Sequence, residues 1–274
     1  MASFAETVQA AVADVTRHGF DTQKRLDGWL EKIRAAARRS LISEGELDRQ
    51  LRAMLTTVYA RMTRAGGMNR YQIGTPRFTL AHIKPRLRAE LDRRIMASAN
   101  LIRLNRQQAI EKTLQRFAGW MSSVPPGGSD VVDKVDTKSD IRKALRQLPF
   151  EERRVLIDQG HKLISSINEI TAHDGGAIAG IWRSNYRQVN YNYRQDHKER
   201  DDKVYLIRDS WAHQRGYVKP GKAGYTDEIT QAAEEPFCRC YYVYIYSLNK
   251  IPDDMLTAKG REERDRAKRA AAEL

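Results

Sequence analysis

The chain has 274 residues, 41% hydrophobic and 30% charged, with 48 Lys and Arg against 35 Asp and Glu. Its formal net charge of +13 points to a polyanionic partner: nucleic acid, an anionic membrane or an acidic protein surface. No apolar run reaches the roughly 18 residues of a membrane span, and two cysteines exclude a disulfide framework, which fits a reducing cytoplasm. The stretch MASFAETVQAAVADV carries an acid and no basic segment ahead of an apolar core, so a secretory signal is not expected.

Residues 3 to about 38 read as helix, with Ser3 and Glu6 in a capping-box pattern, Phe4, Val8, Val12 and Val15 at helical spacing, and Gly19 as a break. Ser43 and Glu46 open a second helix carrying Leu47, Leu51, Leu55, Val58 and Met62, which Gly66 and Gly67 stop. Residues 67 to 85 read as a loop. A long basic helix follows, from roughly Arg86 to Met121. SSVPPGGSD, at 122–130, reads as a linker and marks a domain boundary. Helices are expected at about 138–148 and 150–170, separated by Pro149, and again from 177 to about 198. KVYLI, at 203–207, and FCRCYYVYIYSL read as strands, and the charged tail from Leu256 reads as helix. There is no internal repeat. The fold class expected is α+β: an extended helical docking and assembly region at 1–121, a linker at 122–137, a small α+β domain ending in an aromatic strand at 138–250, and a charged helical tail at 251–274. The narrow apolar stripes of the N-terminal helices suit a groove on another chain or an oligomer seam.

Four constellations carry chemistry. Cys238 and Cys240 stand at i and i+2, on one face of a strand, where a bond between them would close too tight a ring. They read either as small buried thiols or, with His213 as the nearest histidine, as three soft donors for zinc. Tyr241, Tyr242, Tyr244 and Tyr246, with Tyr186, Tyr191, Tyr193 and Tyr205 upstream, could stack bases or form a packed aromatic face. Asp201, Asp202 and Asp209, with Glu199 and His213, could hold a divalent metal for phosphodiester hydrolysis. H-E-x-x-H, G-x-S-x-G and a Gly-rich phosphate loop are all missing from the sequence. Between Lys84 and Arg116 nine basic residues face three acids; Lys84, Arg86, Arg88, Arg93, Arg94, Arg103, Arg106, Lys112 and Arg116 are the candidate contacts to DNA phosphates.

The C-terminal half also contains DDKVYLIRDSWAHQRGYVKPG, then GYTDEI, then PFCRC ahead of an aromatic strand. Over about residues 175–250 this string resembles the phage Mu F-like minor head proteins, also called phage head morphogenesis proteins. Asp202, Arg208 and Gly216 match the start of the family pattern, and Cys238, Arg239 and Cys240 match its end. The family histidine falls on Trp211, with His213 two residues late, which weakens a metal role built on that position. The resemblance implies a structural, non-enzymatic minor head protein of a tailed double-stranded DNA phage. Its expected place is the virion, in the head interior or at the portal vertex, and the host cytoplasm during assembly. The implied partners are the portal or major capsid protein and phage DNA, in an oligomeric setting without a membrane anchor. No cofactor is implied beyond the zinc that the cysteines could hold. The alternatives are a metal-dependent nucleic-acid hydrolase using Asp202, Asp209 and His213, and a DNA-binding protein ejected with the genome.

Overall fold

The computed structural model describes residues 2–64, 72–73, 83–131 and 134–272, with backbone alone for 72, 73 and 84. The chain is α+β. Among the described residues the helices are α1 (Phe4–His18), α2 (Gln23–Ser40), α3 (Glu44–Thr63), α4 (Lys84–Ser123), α5 (Lys134–Asp174), α6 (Gln195–Glu199), α7 (Trp211–Gln214) and α8 (Ala258–Ala272). The strands are β1 (Gln72–Ile73), β2 (Ala179–Arg183), β3 (Val204–Leu206) and β4 (Tyr241–Ile245). The stop expected at Gly66 and Gly67 lies outside the described residues, as does most of the loop expected over 67–85. None of the helices is long and apolar enough to cross a membrane, among the described residues.

Two compact units divide the chain: Met1–Arg52 with Met96–Leu156, and Ala53–Ile95 with Ile157–Leu274. This differs from the expected division at 122–137, because α3, α4 and α5 each contribute a segment to both units.

The first unit is helical. Ser3 Oγ accepts the Glu6 N–H and the Glu6 carboxylate accepts the Ser3 N–H, so α1 opens on the expected capping box. Gly19 ends α1 at a φ of 73°, a left-handed value that favours glycine. The stripe of Val8, Val12 and Val15 on α1 and Ile33 on α2 packs on Phe117 and Met121 of α4 and Ile141 of α5. The N-terminal stripes are therefore covered within the chain, and need no external groove. The segment expected as a linker also belongs to this core. Val124 is buried, Gly127 N–H bonds His18 O, Ser129 N–H bonds Thr16 O, and Val124 O accepts from Phe20 N–H. Gly128 has a φ of 88°, and a Cβ there would lie 2.2 Å from Thr16 O. The glycines thus make a tight return onto the end of α1.

Pro149 lies inside α5 rather than between two helices. A proline in a helix interior costs about 3 kcal/mol. Burial of Ile141 and Leu148 before it and Val155 after it holds the helix through that position.

In the second unit, Leu55 and Met62 of α3, Leu87 and Leu91 of α4, and Leu163 and Ile167 of α5 form a helical core. The sheet order is β1-β4-β2-β3, with β2 antiparallel to both β3 and β4, and β1 parallel to β4. Strand β2 occupies part of the span expected as helix at 177–198. Gly176, at a φ of 74°, ends the chain reversal after α5. From there Ala179 and Ile181 pack on one face and Gly180 and Trp182 on the other, the two-residue repeat of a strand. Gly180 lets β2 approach β4: a Cβ there would lie 2.7 Å from Tyr242 Cδ1. One face of the sheet buries Trp182, Tyr205, Tyr242, Tyr244 and Tyr246. The other buries Ala179, Leu206 and Ile245 on Val218, Ile251 and Leu256. The alternation of β4 thus sends Tyr242 and Tyr244 to one side and Ile245 to the other.

Candidate functional site

At the edge of the aromatic face, His197 of α6 meets Cys238 and Cys240 of the segment entering β4. The His197 Nδ1 atom lies 3.5 Å from Cys238 Sγ and 3.6 Å from Cys240 Sγ. All three side chains are buried, and both cysteines are free thiols. Ser184 Oγ stands 3.9 Å from Cys240 Sγ.

Short segments hold the three residues in place. The His197 ring packs edge-on against Trp182, with centroids 5.3 Å apart, and the Arg200 guanidinium covers Trp182 at 5.2 Å. Arg200 also bonds Asp196 at 2.7 Å and Thr230 Oγ1 at 2.9 Å, tying α6 to the loop ahead of the cysteines. Arg194 pairs with Glu235 and donates to Pro236 O. On the cysteine side, Phe237 has a φ of 60° and donates its N–H to Asp158 Oδ1 at 2.6 Å. Such left-handed backbone in a bulky residue stores strain and needs outside anchors. Asn185 Nδ2 bonds Arg239 O at 2.6 Å, and Arg239 N–H bonds Tyr191 OH at 3.1 Å. The side chain of Arg239 reaches Gln188 Oε1 and lies over the Tyr191 ring.

The two thiols are not equivalent. A hydrogen bond from Cys240 Sγ–H holds Cys238 well below the usual thiol range, against the effect of burial; the N–H groups of Cys240 and Ala233 reinforce it. Cys240 moves the other way, because it donates that shared proton and is itself buried. A polar cleft of about 200 Å³, bordered by Arg61, His161, Asn185 and Arg239, reaches Cys240. Burial, then the Arg239 charge, lowers His161 below the ordinary imidazole value.

The His213 assignment is corrected. Its Nδ1 lies 2.7 Å from Arg208 O and its Nε2 3.3 Å from Tyr225 OH. Among the described residues, the histidine, cysteine and acid groups close enough to share a metal ion are His197, Cys238 and Cys240. The acids considered with His213 are dispersed. Asp202 pairs with Arg183, Asp201 accepts the Ser184 N–H, Glu199 accepts from Gln195, and the Asp209 carbonyl accepts from Gln214. Tyr242, Tyr244 and Tyr246 are buried and packed, which bears out the cross-strand aromatic face rather than base stacking.

Other residues between 202 and 240 have internal partners. Arg208 bonds Asp227 and Glu228, each at 2.9 Å, and covers the Tyr225 ring; Asp227 first and Glu228 second raise its pKa. Trp211 Nε1–H bonds Gly176 O at 3.1 Å, and Gly216 ends α7 at a φ of 69°.

The basic residues of α4 divide by fate. Arg106 is corrected as a phosphate contact: it is 7% exposed and bonds Glu152 at 2.7 Å and Ile42 O at 3.0 Å. Arg94 is largely covered and bonds Glu90 and Ser166. Arg93 also bonds Glu90, Arg86 bonds Asp174, Arg103 pairs with Glu44, and Arg116 donates to Asp140 O. Lys112 is exposed, and Arg88 has only a 3.6 Å pairing with Asp92. The Lys84 side chain lies outside the described residues.

His197 was missed in the sequence because RQDHKER has the look of a solvated charged turn. Its burial comes from α6 packing on Trp182, which no local period announces. No family model, curated protein or solved structure matches this chain.

Proposed function

We propose that the chain is a structural, non-enzymatic minor head protein of a tailed double-stranded DNA phage. It acts at the portal or inner capsid in head assembly and in genome packaging or delivery, with the portal or major capsid protein and phage DNA as partners. The observation that carries this reading is the use made of the family-like string. Arg208, Trp211, Gly216 and Arg239 spend their polar atoms or backbone freedom on internal closure of the second unit. Residues that hold a fold together suit a scaffold role. The hydrolase alternative would require Asp202, Asp209 and His213 to converge, whereas among the described residues they form no group close enough to share a metal ion. DNA contact falls to the exposed cations of α4, Arg88 and Lys112 foremost.

The test is quantitative mass spectrometry of purified mature particles from the phage or prophage that encodes the chain. The expected result is the protein present at a fixed ratio to the portal subunit. Its absence from particles, while it accumulates in the infected or induced cell, would overturn the reading. Emptied particles add the second comparison: retention fits a head component, and loss with the genome fits the ejected DNA-binding alternative.

A further inference from the structure

We infer that His197, Cys238 and Cys240 form a zinc site, with His197 Nδ1 and the two thiolate sulfurs as its protein donors. The inference stands on side-chain geometry and is independent of the phage reading.

The first argument is metric. Zinc binds sulfur at about 2.3 Å and imidazole nitrogen at about 2.0–2.1 Å, in a tetrahedron. Those lengths and the tetrahedral angle require an N···S edge of about 3.5–3.6 Å. The two N···S separations are 3.5 and 3.6 Å. Both N···S edges therefore match those of a tetrahedral zinc, and the three donor atoms all lie within 4.8 Å of one another.

The second argument is one of hydrogen-bond capacity. Neutral imidazole presents one lone pair at its unprotonated nitrogen. Here one nitrogen faces two sulfurs, at 3.5 and 3.6 Å; with the Cys240 S–H turned to Cys238, the lone pair serves one thiol at most and leaves the other N···S contact without a proton of its own. A cation at the centre of the three atoms satisfies all of them at once. Two thiolates and a neutral imidazole also cancel the charge of a divalent ion, which suits a buried site.

The third argument lies behind the imidazole. His197 Nε2 is buried without a hydrogen-bond partner among the described residues. The Asp196 and Glu235 carboxylates each approach it to 3.8 Å. If Nδ1 binds the metal, Nε2 carries the proton and points it at these acids, the usual outer partner of a metal-bound histidine. Glu235 lies on the cysteine side of the site, so the ion would clamp α6 to the 235–240 segment. The C-x-C spacing, too short for the common C-x2-C pattern, is then sufficient because the third donor comes from 41 residues upstream of Cys238. The fourth coordination position is left for solvent, and the cleft beside Cys240 supplies the entry path. Binding releases the thiol protons to solvent.

The experiment is metal analysis of the full chain, purified without chelator, followed by replacement of zinc with Co²⁺. The expected result is one zinc per chain and, for the cobalt form, thiolate charge-transfer absorption with tetrahedral d–d bands. His197→Gln is expected to weaken zinc more than the roughly 10- to 100-fold typical of an outer-sphere change, while His213→Gln leaves affinity unchanged. Should the His197 variant fail to fold, the cobalt spectrum of the parent decides. A parent that takes up neither zinc nor cobalt, or binds cobalt without sulfur charge transfer, overturns the site. Equal loss in His213→Gln and His197→Gln overturns the donor assignment.

Discussion

The two units solve the burial problem with different chemistry. The first closes on Val8, Val12, Val15, Ile33, Phe117 and Met121, a mostly aliphatic set brought together by helix periodicity. The second closes its sheet on Trp182, four tyrosines, two thiols and an imidazole, which bring polar atoms into the core with them. An aliphatic core tolerates exchange of shape, because it has no hydrogen bonds to satisfy. A core of aromatic and thiol groups depends on direction, and each lost partner leaves a buried polar atom exposed to the cost of desolvation.

Large-to-small changes test that contrast most strongly. Phe117→Ala and Trp182→Ala should each cost about 3–5 kcal/mol, since both side chains are fully buried. The informative pair is Phe117→Leu against Trp182→Leu. The first keeps apolar volume and should cost about 1.5 kcal/mol or less. The second removes the ring that His197, Tyr242 and Arg200 pack on, and should remain close to the cost of alanine. Denaturant midpoints measure both, and equal costs for the two leucine variants would remove the distinction.

The cations of α4 sharpen the comparison from another side. Arg106 is committed to folding the first unit, whereas Arg88 and Lys112 lie at the surface. Arg106→Gln should cost about 3 kcal/mol, because Glu152 loses its partner in a largely covered position. It should leave the salt dependence of DNA binding unchanged. Arg88→Gln with Lys112→Gln should change stability by less than about 1 kcal/mol in sum. If both meet phosphate, this pair should flatten the log–log salt slope by about 1.8, from roughly 0.9 per contact. A slope altered by Arg106→Gln alone, with stability intact, would reverse the assignment.

How legible each region was follows from the same difference. In the first unit the apolar spacing and the Ser3–Glu6 box were readable, because each residue's role is decided within a turn or two of its own helix. The Pro149 break and the 122–137 linker were misread because the packing that overrides them comes from distant segments. In the second unit the alternation of β4 was visible, and the two cysteines stood out by their rarity. Their partner did not: the nearest histidine in sequence, His213, bonds Tyr225, and the nearest in space is His197. A site assembled from three short segments has no period to announce it.

Glu235 offers a smaller probe of that site. Glu235→Gln keeps the size of the side chain and removes the charge facing His197 Nε2. If zinc binds through Nδ1, its affinity should fall about 10- to 100-fold, measured by competition with a chromophoric chelator. An unchanged affinity would assign the outer partner to Asp196 instead.

The smallest expected effect is a sign difference in pH dependence between one carboxyl in each unit. In the first, burial alone would raise Asp14, but the Trp29 Nε1–H bond at 2.7 Å and the Arg25 guanidinium outweigh it and hold the carboxyl below its usual value. A depressed acid contributes stability that is present above its unfolded pKa, about 3.9, and is lost as pH falls through the folded value. In the second unit burial pushes Glu169 up, with Glu234 and Glu90 adding repulsion against the opposing His173. Its folded form keeps a proton that the unfolded chain releases near pH 4.3, so stability is lost as pH rises from there through the folded pKa. Asp14→Asn should therefore destabilise at pH 7, with the deficit shrinking below about pH 4. Glu169→Gln imitates the protonated acid. It should match the parent near pH 4 and exceed it at pH 8, by on the order of 1 kcal/mol for each unit of pKa displacement. Thermal melts of the parent and both variants across that range read the result. Deficits of the same sign for the two variants at pH 8 would show that Glu169 is held as a partnered carboxylate, like Asp14, rather than as a buried acid.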